Sequence, residues 1–199
     1  AKMIGPEKQR EFLSSLGFTK PTSVEMIEAS GGKPLLPKRW NELETMTISY
    51  GHGLSATPLH LATGYAALAN GGRLVKPTLL ERKKFDLGPQ VISKEVAENS
   101  LAMLRGVVTE GTASLADVNG YFVAGKTGTA DKPSAQGGYD KEKNITNFAS
   151  IFPIHEPKYV LVVTLDEAQD TSGPEPKRTA GWTAVPVSAE IIARVAPLL

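Results

Sequence analysis

Tyr121-Phe122-Val123-Ala124-Gly125-Lys126-Thr127-Gly128-Thr129-Ala130 is the stretch on which the fold turns. Four bulky or apolar residues lead into Lys-Thr-Gly-Thr-Ala, so the period of two predicts a strand that ends on the lysine motif. Each residue type in it suits a ligand lying along a strand. A lysine brings positive charge to an anionic substrate and can join a proton-transfer network. Threonine hydroxyls can hold a carboxylate. Glycine removes a side chain where something must approach the backbone. A backbone N–H just beyond it can face a developing oxyanion.

Outward from this stretch the pattern predicts helices first and strands afterwards. A helix is expected over residues 1–18, with Phe12, Leu13 and Leu16 on one face, Gln9 off it, and Gly17 as its stop. Lys20 to Arg39 reads as irregular loop. Thr57-Pro58 opens a second helix, with Thr57 as cap and Leu61, Tyr65 and Leu68 as its stripe. Ser93 caps a third, whose expected buried stripe is Val96, Leu101, Leu104 and Val108. After the lysine motif, Ile145 to Phe152 and Tyr159 to Leu165 read as strands, separated by His155-Glu156-Pro157-Lys158. Gly137-Gly138 lies before the first of these, and such short connections favour antiparallel neighbours. A last helix is expected from about Thr183 to Val195, on Val185, Ala189, Ile192 and Val195. The plan is α+β: an antiparallel sheet flanked by helices, in one domain over residues 1–199.

Composition excludes several classes. The 22 Lys+Arg against 21 Asp+Glu leave a net charge of +1, without the basic excess of a nucleic-acid binder. No window of uninterrupted apolar residues is long enough to span a membrane. Cysteine is absent, which excludes disulfides, thiolate catalysis and Cys-based zinc sites. His52, His60 and His155 show no ligand spacing, so neither metal nor organic cofactor is expected. Trp40 and Trp182 read as packing residues.

Two further stretches join the lysine motif. Ile48-Ser49-Tyr50-Gly51-His52-Gly53-Leu54-Ser55-Ala56-Thr57-Pro58 runs into Tyr65-Ala66-Ala67-Leu68-Ala69-Asn70-Gly71-Gly72. Val107-Val108-Thr109-Glu110-Gly111-Thr112-Ala113 precedes the lysine strand. Together, in this order, they resemble the transpeptidase domain of class B penicillin-binding proteins of the cell-division type. The resemblance implies the serine β-lactamase/penicillin-binding fold and D,D-transpeptidation of peptidoglycan stem peptides during septal wall synthesis. It implies β-lactam antibiotics as ligands, division proteins as partners, and a catalytic domain on the periplasmic side of an inner-membrane anchor. Carried over by position, Lys126 is the motif lysine. Thr127 and Thr129 would bind the substrate carboxylate, and the Thr129 N–H would form half of an oxyanion hole. Gly128 would give clearance, and Gly137-Gly138-Tyr139 would belong to a loop over the cleft. Lys126, Thr127 and Thr129 would form one wall of that cleft.

The family also needs a Ser-x-x-Lys nucleophile and a Ser-x-Asn. The literal Ser30-Gly31-Gly32-Lys33 is a poor nucleophile site, because two glycines oppose the helix that brings serine and lysine together. No Ser-x-Asn lies between Lys33 and Lys126. Ala1-Lys2-Met3-Ile4-Gly5 resembles the family's sequence immediately after its Ser-x-Asn. The expectation is a C-terminal part of the domain without the nucleophile segment. Arg178-Thr179-Ala180-Gly181-Trp182 departs from the Tyr-Gly-Gly-like stretch common at that position.

Two other readings stand beside this one. A relative without a nucleophile would be a non-catalytic module that binds wall fragments or β-lactams. Gly120 to Thr127 also matches the phosphate-loop pattern, and Val160 to Asp166 with Glu167 resembles a strand ending in a metal-binding acid. Bulky Tyr121, Phe122 and Val123 and the glycine-rich sequence after Thr127 oppose that nucleotide-binding reading.

Overall fold

The computed structural model describes residues 1–82 and 88–199. It forms two compact units, Ala1–Ala97 and Glu98–Leu199.

In the first unit, α1 (Pro6–Ser15) starts on a proline that needs no N–H partner. It ends where Gly17, at φ 89°, takes the left-handed turn. The Phe18 N–H then reaches the Leu13 carbonyl and the Gly17 N–H reaches that of Ser14, so two otherwise orphaned carbonyls are satisfied. The inward face differs from the expected one. Phe12 is 46% exposed, whereas Gln9 accepts from Trp40 Nε1 at 3.0 Å and donates to the Thr45 carbonyl at 2.9 Å. Trp40 is thus a hydrogen-bonded packing residue.

Thr45 belongs to α2 (Glu42–Ser49), a helix in a stretch to which the hydrophobic pattern assigned no element. Its signal is Asn41-x-x-Glu44, a capping box in which each side chain meets the other's backbone N–H. The preceding loop holds a short 3-10 turn, Ile27–Gly31, and a single antiparallel bridge from Leu35 to Ser55. Ser30 donates to the Ile27 carbonyl inside that turn, not on an α-helical turn shared with Lys33.

Next, α3 (Pro58–Ala69) starts as expected, with Thr57 as cap and Pro58 at its first position. Its buried residues are His60, Gly64 and Ala67, one position away from the expected stripe. The reason is specific. His60 lies between Thr57 Oγ1 and the Lys20 carbonyl, 2.7 Å from each, and the Phe18 ring packs where a Gly64 side chain would be. His60 is therefore a satisfied core histidine.

The next helix, α4 (Lys94–Thr109), is capped by Ser93 Oγ on the Val96 N–H. Leu101 and Val108 are buried as expected, whereas Val96 is 53% exposed and Ala97 is buried in its place.

In the second unit, β1 (Ala124–Pro133), β2 (Tyr139–Phe152) and β3 (Tyr159–Asp166) form an antiparallel sheet in the order β1-β2-β3. The strand carrying Lys126 begins at Ala124, not at Tyr121, and runs past the motif to Pro133. Phe122 adopts φ 44°, a turn conformation that stops Tyr121-Phe122-Val123 from being strand. Arg105 ties this entry down, reaching the Val123 carbonyl at 2.7 Å and Asp117 at 2.8 Å. The two hairpins turn at Gly137-Gly138, both left-handed, and at 153–158.

The closing helix α5 (Ala184–Val195) lies on β2 and β3. Ala184, Val185, Ser188 and Ile192 are buried, while Val195 is exposed, contrary to expectation. Phe148, Phe152, Val163, Val185 and Ile192 are the large residues of one core, together with Val108 and Val123. Among the described residues no helix is long and apolar enough to cross a membrane.

Candidate functional site

Lys126, Thr127, Gly128 and Thr129 lie in the middle of β1, not at its end. No strand among the described residues pairs with the other side of β1, so it forms an edge of the sheet.

Cross-strand register sorts the four residues by face. Thr127 opposes Phe148 and Thr129 opposes Thr146; Lys126 opposes Ala149 and Gly128 opposes Asn147. Opposed residues in an antiparallel pair share a face, and successive residues alternate. Thr146 is buried and bonded to Thr183, beside the start of α5. Thr127 and Thr129 therefore lie on the α5 face, with Lys126 and Gly128 on the opposite one. At an edge strand this is compatible with one ligand, because a ligand along the free edge is flanked from both faces.

The polar contacts are definite. Lys126 is exposed and its Nζ donates to the Thr127 carbonyl at 3.0 Å. Thr127 Oγ1 is 2.7 Å from Thr112 Oγ1. Thr129 Oγ1 accepts from the Ala180 N–H at 3.1 Å. Thus both threonine hydroxyls already have protein partners. A Cβ at Gly128 would come within 2.9 Å of Asn147 Oδ1, so the clearance there accommodates the Asn147 amide.

Arg178 to Trp182, the stretch expected to depart from the family pattern, borders this site, Ala180 bonding to Thr129. Asn144 Nδ2 donates to the Arg178 carbonyl at 3.0 Å. Arg178 Nη2 reaches the Lys141 carbonyl at 2.6 Å, gripping the part of β2 that lies at the register shift beside Asp131 and Lys132. Trp182 is 45% exposed, with Lys177 Nζ 3.4 Å above its ring. Its ring packs against the Lys177 ammonium as a cation–π partner on the surface.

At the far end of the motif strand, Lys132 forms ion pairs with Asp166 and Glu167. These hydrogen bonds, to Asp166 foremost, hold the Lys132 ammonium above its ordinary pKa. Asp166 closes β3 and Glu167 comes next, in the left-handed region at φ 54°, so both acids act in a structural clamp. That removes the nucleotide-binding reading. Lys126-Thr127 continues as strand, where a phosphate loop requires a helix start. Gly125 has its own structural reason: a Cβ there would lie 2.5 Å from the Ala149 carbonyl.

Thr112 and Ala180 are partners of the motif threonines that sequence reasoning missed. Thr112 stands in a stretch already singled out, but no spacing rule links it to a residue in another element.

The chain is similar to known proteins along most of its length. The family model for the penicillin binding protein transpeptidase domain matches residues 1–192. The probable peptidoglycan D,D-transpeptidase FtsI of Caulobacter vibrioides is 32% identical over 210 aligned positions, which cover 100% of this chain and 35% of that protein. The chain spans about a third of the length of the curated relatives it matches. The apo transpeptidase domain of penicillin-binding protein 3 from Burkholderia pseudomallei matches with a TM-score of 0.84 at 34% identity, over 97% of this chain and 58% of that one. Penicillin-binding protein 3 from Mycobacterium tuberculosis, complexed with ampicillin, matches with a TM-score of 0.82 at 28% identity, over 98% of this chain and 47% of that one. With a strand-borne Lys-Thr-Gly-Thr motif and a family match that runs nearly end to end, the chain belongs to the penicillin-binding protein transpeptidase domain family.

Proposed function

We propose that the intact protein is a serine-type peptidoglycan D,D-transpeptidase of septal wall synthesis, with these residues contributing the Lys126 strand to its active site. The observation that carries this reading is the position of Lys126 to Thr129 on an edge strand within a chain of this family. An edge strand offers unpaired backbone groups to an extended peptide, and side chains on alternate faces add specificity.

The chemistry has two steps. A serine outside these residues attacks the carbonyl of a D-alanyl-D-alanine stem, forming an acyl ester and releasing D-alanine with the serine proton. An amine from a second stem then displaces the serine, which regains a proton. Lys126 places its ammonium beside the substrate's anionic end and within the proton-transfer network. The Thr127 hydroxyl donates to the terminal carboxylate, and the Thr129 N–H faces the oxyanion. The Thr129 hydroxyl accepts from the Ala180 N–H and keeps its own proton to donate to the same carboxylate. β-Lactams enter as substrate mimics, since their four-membered amide acylates the same serine. Division proteins at the periplasmic face of the inner membrane are the partners this activity calls for.

Intact-protein mass spectrometry with benzylpenicillin tests the reading. One covalent adduct per molecule of the full-length protein is expected, with its Lys126→Ala variant acylating about 100-fold more slowly, the lower range for loss of a proton-transfer group. Reversible binding without a mass increase would instead identify a non-catalytic wall-fragment or β-lactam binding module.

A further inference from the structure

We infer that Thr112 is a positioning residue for the anion-binding end of this site, acting through Thr127; the inference rests on the transpeptidase reading. Their hydroxyl oxygens are 2.7 Å apart, a close O–H···O contact. Each hydroxyl has one proton and can both donate and accept. If Thr127 gave its proton to Thr112, only lone pairs would face an incoming carboxylate. A carboxylate accepts and cannot donate. Binding therefore requires one order: Thr112 donates to Thr127, and Thr127 donates to the anion. In that order the first bond polarises the second and strengthens it.

The backbone holds Thr112 in place for this task. The next residue, Ala113, is fully buried and its N–H bonds to the Val107 carbonyl in the last turn of α4. Gly181 packs against the other side, where a Cβ would be 2.8 Å from the Thr112 carbonyl oxygen. The hydroxyl itself is on the surface, so removing it leaves the core intact. A fixed backbone with an exposed hydroxyl aimed at Thr127 serves orientation better than stability. This defines the ligand class: anions with a carboxylate at the end that meets Thr127, as in a free peptide C-terminus.

The experiment measures acylation rates of the intact protein with benzylpenicillin and with its methyl ester, which lacks the charged acceptor. Thr112→Val should slow the acid about tenfold, the scale of one hydrogen bond to a charged group, and leave the ester within about twofold. Thr112→Ser should restore the acid rate. In a Thr127→Val background the Thr112→Val effect should vanish. Equal slowing of acid and ester, or no slowing of either, overturns the role of Thr112 while leaving the transpeptidase reading in place. A wild-type protein that neither compound acylates overturns both.

Discussion

Thr183 Oγ1, beside the first turn of α5, donates to Thr146 Oγ1 at 3.0 Å and shares its proton with the Thr179 carbonyl at 3.1 Å. Both side chains are buried. Thr146 opposes Thr129 across the sheet, so this pair sits directly behind the candidate site. It joins the 178–183 segment to the strand that supports β1.

Thr183→Val leaves the Thr146 hydroxyl buried without its partner. Unfolding in urea should show a loss of about 1–3 kcal/mol. The Thr146→Val/Thr183→Val double variant should recover most of it, because removing both members leaves no orphan. A double variant that loses the sum of two single losses would show that shape, not hydrogen bonding, is what matters there.

Gly125 and Gly128 are two glycines of one strand with different demands. A Cβ at Gly125 would meet the Ala149 carbonyl at 2.5 Å and the Phe148 ring at 2.7 Å, neither of which can move without disturbing the sheet. Gly125→Ala should cost about 3 kcal/mol, the upper part of the range for overpacking. At Gly128 the obstacle is the end of the Asn147 side chain, which can turn aside. Gly128→Ala should cost less than about 1 kcal/mol, and still less alongside Asn147→Ala. Equal costs at the two positions would contradict this assignment.

Alkali should weaken the fold through two groups. Burial pushes the Tyr65 phenol up to about 12, against about 10 for a tyrosine in an unfolded chain. Its contribution is fully present below about pH 10 and is lost as pH rises through the folded value. Lys132, raised chiefly by its bond to Asp166 and then by Glu167, acts with the same sign. Its contribution is whole below the unfolded lysine value of about 10.4 and disappears above it. An ultraviolet titration should show a late-ionising tyrosine, and Tyr65→Phe should remove that step. Asp166→Asn should lower the Lys132 pKa read by NMR; an unchanged value would rule out the clamp.

The α+β plan, the antiparallel hairpins and the motif residues were legible in the amino-acid order because they rest on local physics. Thr57-Pro58 caps a helix through its own backbone neighbours, Gly17 ends one because it tolerates the left-handed turn, and β-branched runs around Ile151 and Val163 pair as strands. The capping box at Asn41 and Glu44 was equally local and could have revealed α2. Which residue faces inward was decided elsewhere. Gln9 turned in because Thr45 and Trp40 offered it partners, and Phe12 turned out. His60 displaced the expected apolar stripe because the Lys20 carbonyl needed a partner. The strand's start depended on Phe122 taking a turn that Arg105 anchors from α4. Likewise the hydroxyl neighbours of the site, Thr112 on Thr127 and Ala180 on Thr129, lie 15 and 51 residues away in the chain. Periodicity carries information over one or two turns of structure. Contacts at those separations exist only once packing has brought the elements together, so the partners of the motif threonines are a property of the folded chain and not of any stretch of it.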